Sequence, residues 1–482
     1  MKRVIKRIIG SSVSVEINLP LSLQAIAERL AKSGMRAVVV GGAVRDTLLS
    51  IECKDWDIEV YNTETIESLE SILSHFGTVN SVGKSFGVLK LKVDNYEYDF
   101  SLPRVEKKVA PGHKGFCVEH NGALDFKEAA RRRDFTINAL GYDILQKRVL
   151  DPYSGRQDLE QRVLRVVDAK TFVDDPLRLY RAIQFAARFE FKLESKTEEL
   201  CKQMLESGML DELPKERVWG EWQKSLLKSQ KPSIAFELMR ELGVLKRYFP
   251  ELSVITGVEQ EPKYHPEGDV WTHTMMSLDK MVVLSDNSKI EDEKLKLKLL
   301  LATLCHDLGK ATTTETVDGR IRSIGHERAG VEPTRELLYR LTNEHSFIES
   351  ILPLVEHHLK PAQLFIGTAK APAIRRLAKR VNISELVMVA TADFLGRTTK
   401  EAQSGYFEAG EWLLKEAKEL QVAVKPLDNI VTGKDLIALG ISPSPLFREI
   451  LNDVYNKLME GSLKNREEAL TYIAKHYSVC RG

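Results

Sequence analysis

Two aspartates, Asp55 and Asp57, stand two residues apart in the run Cys53-Lys-Asp-Trp-Asp-Ile-Glu-Val60. A strand around Asp55–Val60 has a side-chain period of two, so both carboxylates leave from one face. Paired carboxylates hold Mg²⁺ through oxygen and leave room for substrate phosphates. Ahead of them, Gly41 and Gly42 follow the apolar run Ala37–Val40. Glycines let main-chain N–H groups approach a triphosphate, and a helix starting there aims its N-terminus the same way. Arg45, one turn into that helix, adds a fixed positive charge. Asp99, in the strand-like run Tyr96–Leu102, offers a third carboxylate to the metal pair.

The elements that must position these groups follow from patterning. Ala37–Val40 reads as a buried strand, Ala43–Leu49 as a short helix, and Thr65–His75 as a second helix. Before them, Pro20 and Ser22 start a helix that Gly34 ends, and residues 1–20 form an extension. Gly83–Val93 alternates like a half-buried strand. Residues 104–123, with Pro111, Gly112, Gly115 and Gly122 among basic residues, read as a flexible loop. Three arginines, 131–133, precede an apolar helix in which Asp134 and Asn138 share one face. Pro176 opens a long helix with an aspartate before it as cap.

Gly41-Gly-x-Val-Arg45-Asp followed by Asp55-x-Asp57 resembles the first motif of the class II tRNA nucleotidyltransferases and bacterial poly(A) polymerases. Arg131-Arg-Arg-Asp-Phe-Thr-Ile-Asn-Ala-Leu140 is similar to the family motif that contacts ribose and triphosphate, which implies roles for Arg133, Asp134 and Asn138. Asp174-Asp-Pro-Leu-Arg178-Leu-Tyr-Arg181 resembles the signature in which protein side chains replace a template base. There Asp175 and Arg178 are three apart and face the same way. A carboxylate accepts from an exocyclic amine, and a guanidinium donates to a ring acceptor. Cytosine and adenine present that pattern; uracil and guanine present the reverse. A mismatch leaves buried polar groups unpaired, at on the order of 1–3 kcal/mol each. Arg181 keeps its place in the motif, whereas Gln184 stands where related enzymes carry arginine, so no charge meets phosphate there. Arg217 and Glu221 read as a helix brace. The resemblance further implies that the loop at 104–123 assists the switch from C to A addition.

A second constellation lies further on. His273, His306-Asp307 and Asp393 sit in three apolar helix-like runs. Mixed imidazole and carboxylate ligands suit a divalent ion with open positions for water and phosphate. His326 and His357 can complete a second metal position. The order His, His-Asp, Asp, with Lys310 after His-Asp-Leu-Gly, resembles HD-type phosphohydrolases and the multifunctional bacterial CCA enzymes. Those also hydrolyse phosphomonoesters and 2′,3′-cyclic phosphates. The metal there (Mg, Mn, Ni or Co) is left open.

The chain has 482 residues, 43% hydrophobic and 29% charged, with a formal net charge of +1. This excludes disordered and membrane classes, and any basic surface must be local. Five scattered cysteines indicate neither a disulfide framework nor a thiolate zinc site, and they fit a reducing cytoplasm. The expected class is α+β: a polymerase-beta-like head with a mixed sheet, then an all-α neck and body, an HD domain and a helical tail. The expected divisions are 1–20, 21–165, 166–260, 261–400 and 401–482. The resemblance implies CCA addition to tRNA from CTP and ATP with Mg²⁺ in the head. It also implies that the tail grips the acceptor arm; no run reaches transmembrane length, and no protein partner is implied. Poly(A) synthesis, partial CC or A addition, and a metal phosphohydrolase whose head only binds RNA are the rivals.

Overall fold

The computed structural model describes residues 17–53, 55–63, 65–80, 87–108 and 116–477, except the side chains of 105–108 and 116–120. Two compact units emerge, Met1–Ser225 with Glu237–Val244, and Leu226–Phe236 with Leu245–Gly482.

In the first unit, α1 (Leu21–Ala31) buries Leu23, Ile26, Ala27 and Leu30, the stripe a helix must hide to be stable. β1 (Arg36–Val40) buries Val38, Val39 and Val40, hence a strand covered on both faces. Gly41, at φ +68°, turns the chain into α2 (Gly42–Leu48). β2 (Trp56–Tyr61) then returns beside β1. α3 (Ile66–Leu73), with Thr65 as a true N-cap accepting from Ser68 N, leads to β3 (Thr78–Asn80), β4 (Val88–Val93) and β5 (Tyr96–Ser101). The sheet order is β3-β4-β5-β2-β1, extended past β1 by Gly141–Asp143 and Arg148–Leu150. Only β2 and β5 pair in parallel among its strands, and their register sets Asp57 opposite Asp99.

Three expectations need correction. Asp55 lies one residue before β2 and Asp57 is its second residue, so the two carboxylates straddle the start of the strand. The stretch expected to be a loop contains two strands, β6 (Arg104–Lys108) and β7 (Phe116–His120), in antiparallel register from Arg104↔His120 to Lys108↔Phe116. Glycines and charges around Val105, Phe116 and Val118 diluted their strand signal. Residues 109–115, with Pro111, Gly112 and Gly115, and residues 81–86 of the expected Gly83–Val93 strand lie outside the described residues.

The third correction concerns the arginine run, which opens no α-helix. α4 (Phe126–Ala130) ends at Arg131, and only a 3₁₀ turn, Thr136–Asn138, follows. Tertiary bonds claim the main chain instead: Thr136 N donates to Arg165 O at 2.9 Å and Val167 N to Asp134 O at 3.1 Å. Next come α5 (Gly155–Gln161), α6 (Ala169–Phe172) and the long α7 (Leu177–Phe189). Phe135 is fully buried and meets Phe172 and Phe185 edge-on at 5.7 and 5.8 Å, tying the turn to both helices.

Among its described residues the second unit has one hairpin, Thr314–Val317 and Arg320–Ser323, and its other regular elements are helices. Helices Val270–Asn287, Glu293–Cys305 and Ile383–Gly396 are apolar on most faces and bury most of their length, as a core helix must. The tail helices Gly433–Ala438, Leu446–Glu460 and Arg466–Tyr477 close over their own small core, including Leu436, Ile450 and Ile473. Among the described residues no helix is long and apolar enough to cross a membrane.

Phe135→Ala removes the ring that joins the turn to α6 and α7. It should cost about 3–5 kcal/mol and lower the denaturant midpoint of the first unit's unfolding; an unchanged midpoint would mean that neighbouring rings refill the space.

Candidate functional site

In the first unit the acidic cluster is built by period two. Asp55, Asp57 and Glu59 alternate toward one face at β2, and Asp99 joins them across the parallel pairing. Burial raises the Asp57 carboxyl, and the neighbouring Asp99, Asp55 and Glu59 carboxylates add to that, against Arg133. Such crowding of like charge fits a site for divalent cations. Lys90 lies 3.1 Å from Asp99 Oδ2 in an exposed pair.

Glu59 is the member that patterning did not single out. It is 1% exposed, accepts from Arg132 Nη2 at 2.8 Å and Arg133 Nη2 at 3.0 Å, and receives the Tyr61 hydroxyl at 2.7 Å. Burial alone would raise its pKa; Arg133 and Arg132 outweigh burial and hold it below the usual carboxylate range. The signal was available, because Asp-Trp-Asp-Ile-Glu continues the alternation one step further.

Gly41 contributes space. Its N–H is taken by Leu140 O at 3.0 Å. A Cβ there would stand 2.6 Å from Arg133 Nη1, so the missing side chain is what admits that guanidinium. Arg45, expected to face phosphate, is instead buried: it donates to Asp46 and Asn138 and lies over the Phe185 and Phe189 rings at 5.1 and 4.8 Å. Asn138 Nδ2 donates to Asp134 Oδ1 at 2.9 Å, and Asp134 Oδ2 accepts from Arg181 Nε at 2.8 Å. Arg45, Asn138, Asp134 and Arg181 thus form one chain of bonds from α2 to α7.

Asp175 and Arg178 do not bind each other through their side chains. Asp175 Oδ1 accepts from Leu177 N at 3.1 Å, and Oδ2 from Arg217 Nη2 at 3.3 Å. Arg217 thus reaches Asp175, while Glu221, its expected partner, pairs with Lys224 at 2.8 Å. Arg178 donates to the main-chain oxygens of Thr171 and Arg132 at 2.8 and 2.7 Å. Gln184 is 2% exposed among the buried residues of α7, surroundings that an uncharged side chain suits.

In the second unit, His273 lies on the helix Val270–Asn287, His306 caps Glu293–Cys305, and Asp393 lies on Ile383–Gly396. These three form one cluster of potential metal ligands; Asp307, His326 and His358 form another. His358 replaces the expected His357. Successive residues on a helix diverge by roughly 100°, so only one of the two faces the cluster; His357 points elsewhere, with its Nδ1 buried and unpartnered.

Each ring is oriented from behind. His306, His326 and His358 place Nδ1 2.7 Å from the carbonyl oxygens of Thr303, Ser323 and Val355. His273 Nδ1 sits 2.9 Å from Glu267 Oε1, a carboxylate shared with His265. A carbonyl only accepts, so in the neutral ring Nδ1 carries the hydrogen and Nε2 presents a lone pair. His326 and His358 then face Nε2 to Nε2 at 3.3 Å, which repels unless a proton or cation lies between. Asp307 is surrounded by nitrogens: Lys310 Nζ stands 2.7 Å and His306 Nε2 3.2 Å from Oδ2, and His326 Nε2 3.3 Å from Oδ1. Burial and the neighbouring His306 and His326 push His358 down to about 3. Buried carboxylates and imidazoles converging in this way are groups that could hold a divalent metal.

Residues 37–165 match the poly(A) polymerase head domain, 190–255 the probable RNA and SrmB-binding site of polymerase A, and 270–397 the HD domain. A multifunctional CCA protein of Pasteurella multocida is 37% identical over 374 residues, 76% of this chain and 84% of that protein. The chain belongs to the multifunctional CCA protein family. A member from Methylobacillus flagellatus is also 37% identical, over 77% of this chain and 86% of its own. Among solved structures, a CCA-adding enzyme in apo form II gives a TM-score of 0.64 at 23% identity, over 95% of this chain and 96% of that one. The Thermotoga maritima CCA-adding enzyme complexed with tRNA gives 0.60, also at 23% identity and over 95% and 96%. At that identity the likeness speaks for the fold, an α+β head followed by helices. The family's head and HD domains use divalent metals.

His358→Ala should strip metal from the second unit, and His357→Ala should not. Metal content after dialysis, read by mass spectrometry, checks this; equal retention by both variants would place the ligands elsewhere.

Proposed function

We infer that this chain builds and repairs the 3′-terminal CCA of tRNA from CTP and ATP without a nucleic-acid template, and that its HD domain is a second, phosphohydrolase centre. The observation that carries the first activity is the parallel register of Asp57 with Asp99, with Asp55 at the strand mouth and Arg133 beside them. Asp55, Asp57 and Asp99 hold Mg²⁺ in this reading. The bound ions would supply the charge that activates the tRNA 3′-hydroxyl and stabilises departing pyrophosphate. Arg133, seated against Gly41, meets the triphosphate, and Gly42 lies beside it. Arg45, Asn138, Asp134 and Arg181 act by positioning, because their polar groups are engaged with one another.

Asp175 and Arg178 read the base. An ionised carboxylate has about four acceptor positions, so Asp175 keeps capacity for an exocyclic amine beyond Leu177 N and Arg217. Arg178 donates to the ring acceptor. The tRNA is held by phosphate contacts and shape, with the tail as grip. We assign the head to 21–165, the neck and body to 166–260, the HD domain to 261–400 and the tail to 401–482, after an extension at 1–20. Free Cys53, Cys201 and Cys305 suit the reducing cytoplasm, where we place the protein. At the HD centre, His273, His306, Asp307, Asp393, His326 and His358 would hold a divalent ion such as Mg, Mn, Ni or Co, which would activate water for phosphate-ester hydrolysis.

The Asp55→Ala, Asp57→Ala double variant should fold yet add no nucleotide to tRNA ending before CCA, with CTP, ATP and Mg²⁺ supplied. Product sizing decides, and full-length product would reject the assignment. Asp175→Ala should narrow the preference for CTP and ATP over UTP and GTP by about tenfold or more; single-nucleotide incorporation measures it, and unchanged selectivity would remove Asp175 from base reading.

A further inference from the structure

Three guanidiniums and two rings fasten α2 to α7. Arg45, on α2, lies over the Phe185 and Phe189 rings, which sit one helical turn apart on α7, parallel to within 7° and 5.9 Å from each other. Each ring meets a second guanidinium from its own helix. Arg181 lies over Phe185 at 5.1 Å, and Arg188 over Phe189 at 4.9 Å. Arg188 Nη2 then returns to α2, donating to Asp46 Oδ2 at 3.2 Å, while Asp46 Oδ1 accepts from Arg45 Nε at 2.7 Å. Crowded cations repel, and Asp46 and Asp134 offset their charge. The two helices are thus joined at two levels: through Asn138 and Asp134 to Arg181, and through Asp46 to Arg188.

The clamp lies between two ends that must keep a fixed span. α2 begins at the glycines beside Arg133, and α7 carries Arg178 one turn before Arg181. In the function proposed above these are the triphosphate end and the base end of one nucleotide. Rejection of uracil and guanine then needs a stiff Arg178. Uracil O4 and guanine O6 are themselves acceptors, so a guanidinium free to shift could donate to them instead. Stiffness in α7 relative to α2 denies it that shift.

We propose that Phe189 and Arg188 are positioning residues for nucleotide selection, setting α7 against α2 and so the span between base reader and triphosphate site. The proposal rests on the base-reading role of Arg178. Phe189 is the cleaner handle, because Phe185 also packs on Phe135.

The test is single-nucleotide incorporation by the full chain with Mg²⁺ and, in turn, CTP, ATP, UTP and GTP, on tRNA ending before CCA and on tRNA ending in CC. Phe189→Leu, which keeps an apolar side chain without a ring, should lower kcat/KM discrimination against UTP and GTP about fivefold or more. Arg188→Gln should do the same, and Phe189→Tyr, which restores the ring, should keep wild-type discrimination. Unchanged discrimination in the leucine variant overturns the proposal, as does equal slowing with all four nucleotides, the mark of a merely structural ring. If circular dichroism shows that Phe189→Leu does not fold, Arg188→Gln decides by the same criteria. A wild type that does not prefer CTP and ATP removes the base-reading role and the clamp's purpose with it; a selective wild type with equally selective variants removes the clamp alone.

Discussion

A buried carboxylate shared by two consecutive arginines is the constraint on which the first unit's site depends. Burying Glu59 is costly unless its charge is matched. Arg132 and Arg133 match it, and Tyr61 takes its second oxygen. The two arginines then work in opposite directions. Arg133 reaches along β2 to the acidic mouth and fills the space left by Gly41. Arg132 presents its main-chain oxygen to Arg178. The acidic cluster of β2 and helix α7 are thereby joined through neighbouring residues. The chain cannot continue α4 through this point because its main-chain groups are needed by Arg165 and Val167.

The second centre follows a different rule. Its ligands are arranged by what stands behind them: three carbonyl oxygens and Glu267 dictate the tautomer of four imidazoles. The resulting convergence of imidazole lone pairs is unfavourable by itself. A bound cation relieves it, so this part of the second unit should owe part of its stability to the ion.

The placement of the acids was largely legible in the sequence. Period two in Asp55-Trp-Asp57, the glycines after Val40 and the apolar runs around His273, His306 and Asp393 each carry local signals that the structure keeps. Long-range information was harder to read. Arg45 looks like a phosphate ligand because its spacing from Gly42 is right, but two rings on α7, more than a hundred residues away, claim it. The helix expected after Arg133 yields to tertiary hydrogen bonds that no local pattern announces. His357 and His358 are adjacent and chemically equal, and only the rotation of their helix distinguishes them. The strands at 104–108 and 116–120 pair across a segment whose glycines read as a loop.

Arg178 is held by two main-chain oxygens, those of Thr171 and Arg132. Such acceptors belong to every residue type. The identity of the side chains at 171 and 132 is therefore immaterial to the tether itself, provided the chain keeps its course. Position 171 can drift without loosening Arg178, whereas position 132 is held by its own pair with Glu59, and displacement of α6 or of the turn at 132 would release the guanidinium.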